Sequence, residues 1–288
     1  MPGPLRFLVA ESETPEHRAA RRDSVGRSSG ETFAKTLREL APGVRVDRVA
    51  PSDADGQRPG PAEIAAYDAV FLSGSPLHLY DDTPETRRQV EFMRAVFASG
   101  TPAFGSCAGL QVATVAAGGT VRANARGTEA PFARRIASTA EGAAHPLLRD
   151  RPPCFDAPSI HSDEVAELPD GAVLLARNGH TAVQAAEIRV GAGVFWGVQY
   201  HPELSLGEVA AAIRRQSDDL VRDGAMPDSE TVEGTAVLID QLDRHPCLET
   251  ADRLKVGAEV TEVDRRRREL ANFIAFLVRP TRSRRNRE

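Results

Sequence analysis

The run Ala103-Phe104-Gly105-Ser106-Cys107-Ala108-Gly109-Leu110-Gln111 is the first stretch of this chain that could do chemistry. An apolar segment delivers Cys107 into small residues, and a helical pattern begins directly after it. Small flanks are what a strained strand-to-helix turn requires, because such a turn has no room for bulk. A thiol at a helix N-terminus ionises more readily, and the thiolate is the nucleophile. An isolated cysteine more often packs as a small hydrophobe. Here the strand–turn–helix context points toward nucleophilic attack.

The second such stretch is Gly197-Val198-Gln199-Tyr200-His201-Pro202-Glu203. In extended chain, residues two apart project to the same side, which places His201 beside Glu203. Pro202 stiffens the chain between them. Glu203 can orient the imidazole and favour its cationic form. A thiol, an imidazole and a carboxylate together make the set that attacks a carbonyl covalently. Cys154 and Cys247 lie in no comparable turn and read as structural. No C-x-x-C pair occurs, so neither a disulfide framework nor a metal centre is expected, and no organic cofactor is implied.

The elements that would position these residues follow a strand–loop–helix rhythm. Residues 5–10 read as a first strand. Ser28-Ser29-Gly30-Glu31 supplies cap chemistry for a helix to Leu40. Residues 44–49 alternate like a half-exposed strand, and 51–61 form a Pro/Gly/Asp-rich loop. Ala69–Leu72 reads as a buried strand ending in Ser73-Gly74-Ser75-Pro76. A helix is expected over 83–99, with Pro84 in its first turn. Residues 102–105 form the strand into Cys107, and 108–117 the helix after it. This rhythm argues for an α/β fold with a mostly parallel sheet between helices. Short β runs then appear at 121–124, 159–161, 173–176, 182–188 and 194–199. From Leu204 onward the pattern is helical: 206–223, Ser229–Arg244, 250–256 and 263–277. In the last of these, Phe273, Ile274 and Phe276 suggest an amphipathic helix packing on the domain, with a dimer surface as a second use.

Composition limits the partners. The 288 residues carry a formal net charge of −5, so nucleic acid is not expected to bind. The basic run 279–287 reads as a solvated, frayed end. No apolar stretch reaches the ~20 residues that span a bilayer, so no membrane association is expected. The N-terminal ten residues lack a basic region before their apolar run and read as a strand, not a leader. Widely spaced cysteines fit a reducing cytoplasm.

With both motifs on the page, the chain resembles the class I (triad) glutamine amidotransferases, and more narrowly the stand-alone GMP synthase-like group. That family carries G-x-C-x-G-x-Q at the elbow and G-x-Q-x-H-P-E at the base, in the order Cys, His, Glu. The resemblance covers about residues 5–215. It implies a flavodoxin-like sheet, with a domain at 1–215 and a helical C-terminal extension, 216–288, packing on it. It also implies a catalytic triad of Cys107, His201 and Glu203. Oxyanion donors are expected from the loop at Gly74 and Ser75 and from Ala108. Gln111, His161 and Asp163 are expected at the substrate pocket, Asp163 through the stretch His161-Ser162-Asp163-Glu164 before Leu168-Pro169. His78 is expected at the pocket rim. Ser75 stands where many relatives have a second glycine, Leu110 where many have histidine, and Ala108 where a larger residue is common.

The reaction so implied is hydrolysis of the glutamine side-chain amide through a Cys107 thioester. Neither a phosphate loop nor a pyrophosphatase motif is present, so ammonia would pass to a separate synthetase subunit. Two alternatives stay open: an autonomous hydrolase or transferase of other γ-glutamyl amides or peptides, and a non-catalytic regulatory module on the same fold.

Overall fold

The structure, a computed structural model, describes residues 3–285 and 287. Eleven strands are found among them: β1 Arg6–Ala10, β2 Arg45–Val49, β3 Ala69–Leu72, β4 Ala103–Ser106, β5 Thr120–Ala123, β6 Phe132–Ser138, β7 Cys154–Pro158, β8 Asp163–Glu167, β9 Val173–Arg177, β10 Ala185–Val190 and β11 Gly193–Val198. Nine form one sheet in the order β2-β1-β3-β4-β11-β10-β9-β6-β7, while β5 and β8 pair separately. The pairs from β2 to β11 are parallel, and those from β11 to β7 antiparallel. The parallel half is the one that holds both motifs. Strand β11 lies beside β4 with Val198 opposite Ser106, so the chain leaves both strands at one sheet edge.

The central strands are apolar on both faces because helices cover both. Phe7, Phe71, Phe104, Trp196 and Val198 face one core, which receives Phe33 and Leu37 from the helix Ser29–Leu40. Leu8, Val70, Leu72 and Phe195 face the other, filled by Met93 and Val96 of Pro84–Ser99 and by Leu110 and Ala113 of Ala108–Ala116. The helix Ser29–Leu40 starts at the capping box read from sequence. Ser28 Oγ accepts the Glu31 N–H, and the Glu31 carboxylate accepts the Ser28 N–H. Each such cap is worth about 1 kcal/mol.

The C-terminal helices build two different contacts. Leu206–Arg215 packs on Ser229–Arg244 around Val209, Ile213, Val232, Ala236 and Ile239, a third core that also takes in Phe132 and Ile160. The last segment returns to the sheet. Phe273 is fully buried, with ring centroids 5.4 Å from Phe71, 5.6 Å from Phe104 and 5.9 Å from Trp196. Ile274 is buried beside it, whereas Phe276 is exposed and lies under the Arg149 guanidinium.

Several local expectations are corrected. Residues 159–161 are no strand; they link β7 to β8 and make one bridge, His161 with Glu129. The expected helix 206–223 breaks at Gln216 into Leu206–Arg215 and Ser217–Arg222. A helix at Pro15–Val25, capped by Thr14, had no readable apolar stripe, because Arg21 is its one buried residue. The basic end is not frayed through Arg285: Arg279–Arg285 is helical. Arg282 donates to the Gly3 carbonyl and lies near Asp68, and Arg285 donates to the carbonyls of Tyr67 and Gly100. Those partners are too distant in sequence for any local pattern to show.

Candidate active site

Cys107 sits at φ 52°, ψ −112°, a positive-φ conformation that a non-glycine residue adopts only under constraint. Three contacts hold it there. Its N–H donates to the Val198 carbonyl at 2.8 Å, tying the turn to β11. A Cβ on Gly105 would come within 2.7 Å of the Gly109 backbone, and one on Gly109 within 2.7 Å of the Leu72 carbonyl. The strand, the turn and the following helix therefore approach closer than any side chain allows, which is why small residues flank the cysteine. Ala108 is the first residue of the helix, so its N–H has no acceptor within it.

His201 and Cys107 converge on Gly74. A Cβ at Gly74 would lie 2.9 Å from His201 Cε1 and 3.7 Å from Cys107 Cβ. His201 Nδ1 is 2.7 Å from Glu203 Oε1, and the Cys107 sulfur donates to the Ile160 carbonyl at 3.9 Å. Glu203 Oε1 also accepts the Ser106 hydroxyl at 3.0 Å, while its Oε2 is buried without a partner among the described residues. Burial opposes a charge on His201, but the Glu203 carboxylate and the Cys107 sulfur outweigh it. The imidazole pKa rises from 6.5 to about 10.

These residues open into a cavity of about 420 Å³. Gly74, Ser75, Cys107, Gln111, His161, Asp163 and His201 all line it, with His78 at its edge. Ser75 Oγ accepts the Leu77 N–H at 3.1 Å, which fixes the loop after Gly74. Gln111 is buried; its amide donates to Gln199 Oε1 and to the Asp163 carbonyl, both at 3.3 Å. The Asp163 carboxylate is held by His78 Nδ1 at 2.7 Å and the Tyr80 hydroxyl at 3.2 Å. Burial first, and then Asp163, push the Tyr80 phenol up to about 12.

His161 is placed differently from the others. Its Nδ1 lies 2.8 Å from the Asp163 carbonyl and its Nε2 3.0 Å from Glu129 Oε2. Both ring nitrogens are taken, so His161 braces the pocket wall and has no free group for a ligand. Glu129 also accepts from Asn178 and Gln184. Burial works against its charge, yet His161 and these donors hold its carboxyl below the usual range.

Three features of the site have no sequence signal. Ser106 counted only as a small flank, yet it bonds Glu203. Glu13, His17 and Arg21 reach the cavity from the first sixth of the chain, and Ala212, Arg215 and Gln216 from the C-terminal helices. Among the described residues no group of three or more His, Cys, Asp or Glu side chains is arranged to hold a metal, and no helix is long and apolar enough to cross a membrane.

The elbow, the converging imidazole and the parallel sheet edge define a class, and comparison with known proteins agrees. The model of the class I glutamine amidotransferases matches residues 25–217, and the chain belongs to that family. A γ-glutamyl-L-1-hydroxyisopropylamide hydrolase from a Pseudomonas species is 37% identical over 284 residues, which is 96% of this chain and 94% of that protein. A glutamine-hydrolysing GMP synthase from Leifsonia xyli is 32% identical over 154 residues, 53% of this chain and 29% of that enzyme. Among solved structures, a glutamine amidotransferase from Thermotoga maritima superposes with a TM-score of 0.62 at 18% identity, covering 93% of this chain and 98% of that one. At that identity the likeness speaks for the fold alone.

Proposed function

We propose that the protein is a cysteine-dependent hydrolase of γ-glutamyl amides that works without a synthetase. The observation that carries this reading is the make-up of the cleft. Its wall includes Asp219, Arg222 and Asp223, which lie beyond the residues that the family model matches. The relative named as a γ-glutamyl amide hydrolase aligns through those residues, end to end. The GMP synthase relative shares only about half of this chain. A cavity of about 420 Å³ is also roomier than ammonia needs as the leaving group, and sits in the ordinary size range for small-molecule sites.

In this mechanism the Cys107 thiolate attacks the γ-carboxamide carbon. The oxyanion is held by backbone N–H groups at Gly74 or Ser75 and at Ala108, each worth about 3 kcal/mol in the transition state. The C–N bond breaks as His201 delivers its proton to the nitrogen, so a neutral amine leaves and a glutamyl thioester remains. His201, now neutral, takes a proton from water. The resulting hydroxide attacks the thioester, and the thiolate leaves as glutamate forms. Glu203 keeps the imidazole oriented and charged in the first half. Gln111 and Asp163 border the pocket for the γ-glutamyl group, and His161 supports it indirectly.

The partial match to GMP synthase favours a second reading, in which the leaving group is ammonia from glutamine and a separate synthetase consumes it. Glutamate release from glutamine and from N-alkyl γ-glutamyl amides, with and without cell lysate, separates the two. The hydrolase reading expects faster turnover of the substituted amides by the purified chain and no stimulation by lysate. A glutamine preference that appears only with a lysate component would overturn it. Loss of all turnover in Cys107→Ala, together with an electrophilic glutamine analogue attached at Cys107 alone, checks the nucleophile.

A further inference from the structure

Two carboxylates that line the cleft are held differently. The Asp163 carboxylate is bonded by His78 and Tyr80. Glu13 lines the same cavity as Cys107 and His201, is 7% exposed, and has no cationic side chain within ion-pair distance among the described residues. Its Oε2 accepts the Ser29 N–H at 3.1 Å, and its Oε1 has no hydrogen-bond partner among those residues. The residue is pinned in place, since its carbonyl takes Arg18 Nη1 at 2.6 Å and the Ser52 hydroxyl at 3.0 Å. That oxygen is open to the cavity, where a bound molecule that displaces water would have to supply a donor in its place.

The position of Glu13 relative to the chemistry tells which part of a substrate it meets. Ser29, which holds the Glu13 carboxylate, gives its own hydroxyl to Ser73 Oγ at 2.9 Å, next to Gly74. Leu204, directly after the triad carboxylate, lines the cavity with it. His201 must protonate the departing nitrogen, so the amine half of a substrate lies on the imidazole side of Cys107. Gln111 and Asp163 line the same cavity. Arg215 stands at the cavity mouth, exposed, and donates to Ser24 Oγ.

We propose that Glu13 sets the specificity for the amine half of the substrate. Preferred substrates are γ-glutamyl amides of small amines that carry a second hydrogen-bond donor, a hydroxyl or an ammonium. This rests on the hydrolase reading above. A site built around an acceptor rejects an analogue lacking the donor, because the acceptor is then left unpaired. A carboxylate-bearing amine would meet Glu13 as a like charge, in a cavity whose lining also holds Arg21 and Arg215.

The test uses four γ-glutamyl compounds with the purified full chain: the ethylamide, the ethanolamide, the 2-aminoethylamide and γ-glutamylglycine. Glutamate release gives kcat/KM for each, in wild type and in Glu13→Gln. In that variant the amide oxygen can keep the Ser29 N–H, which leaves an NH2 group that cannot accept. Wild type should turn over the ethanolamide or the 2-aminoethylamide at least about tenfold better than the ethylamide. In Glu13→Gln the ratio of donor-compound to ethylamide kcat/KM should fall to about one, and a ratio that survives in the variant would overturn the role of Glu13. Whichever donor compound is faster identifies the donor. Equal rates for the ethylamide and both donor compounds in wild type, or γ-glutamylglycine as the best substrate, would overturn the role of Glu13 and leave the hydrolase reading standing. That wild-type comparison does not depend on the variant folding. No turnover of any γ-glutamyl amide would overturn both.

Discussion

Ser106 and His201 share one oxygen of Glu203: the hydroxyl at 3.0 Å and the imidazole Nδ1 at 2.7 Å both meet Oε1. Ser106, next to Cys107, thus steadies the carboxylate that bonds the His201 imidazole. Ser106→Ala removes a donor and frees the carboxylate to swing. One such hydrogen bond is worth about 1 kcal/mol or somewhat more. We expect kcat to fall about tenfold or less with KM nearly unchanged, measured by steady-state glutamate release. A change in KM alone would show that Ser106 serves binding instead.

The imidazole titration makes a prediction with a definite sign. His201 is raised from 6.5 to about 10, so the folded state binds this proton more tightly than the unfolded chain. The stabilisation is complete below about pH 6.5, declines as pH climbs, and is gone above about pH 10. Urea unfolding across that range should show wild type losing stability and Glu203→Gln losing less. The alkaline limb of kcat/KM should also move to lower pH in Glu203→Gln. An unshifted limb would mean that Glu203 does not hold the proton on His201.

Gly74 leaves the space that the imidazole occupies. The Cβ of Gly74→Ala would stand 2.9 Å from His201 Cε1, so the ring or the loop must give way. Misplacing a reacting group by about 1 Å can cost on the order of 100-fold. We expect kcat/KM to drop by about that factor while the melting temperature stays close to wild type. A variant of near-normal activity would show that the loop moves freely and does not shape the site.

A buried ionic cluster ties the last helices to Tyr200, the neighbour of His201. The Tyr200 hydroxyl donates to Glu269 Oε1 at 2.8 Å, and Arg151 bonds both oxygens of Glu269 at 2.7 and 2.8 Å. Tyr200→Phe loses one hydrogen bond to a charged acceptor, about 1.5–3 kcal/mol. Glu269→Ala deprives the buried Arg151 of its main partner and should cost more, about 3–5 kcal/mol. Denaturant melts of the two variants give the comparison, and the reverse order would contradict this account of the cluster.

The parts of the site legible in the sequence were those that sit close together along the chain. Cys107 with its small flanks, and His201 two residues from Glu203, follow from local geometry. The parallel core followed from apolar strands alternating with amphipathic helices. What stayed hidden depends on contacts between distant segments. Glu13 meets Ser29 across a loop, His161 meets Glu129 across an isolated bridge, and Arg285 reaches Tyr67 and Gly100. Strands β6 and β7 were unread because each is half exposed, and Arg134, Arg135 and Asp156 break up their apolar pattern.

Phe273 against Phe71 and Phe104 has a consequence for synthesis. A ribosome completes the strands that carry Phe71, Phe104 and Trp196 long before it reaches the residue that covers them. Until residue 273 has been made, that aromatic face is covered only in part, by the helix Ser29–Leu40, and the nascent chain is exposed to aggregation or in need of a chaperone. Termination between Glu203 and Phe273 therefore leaves a product that holds Cys107, His201 and Glu203 but lacks part of the cover over its apolar face.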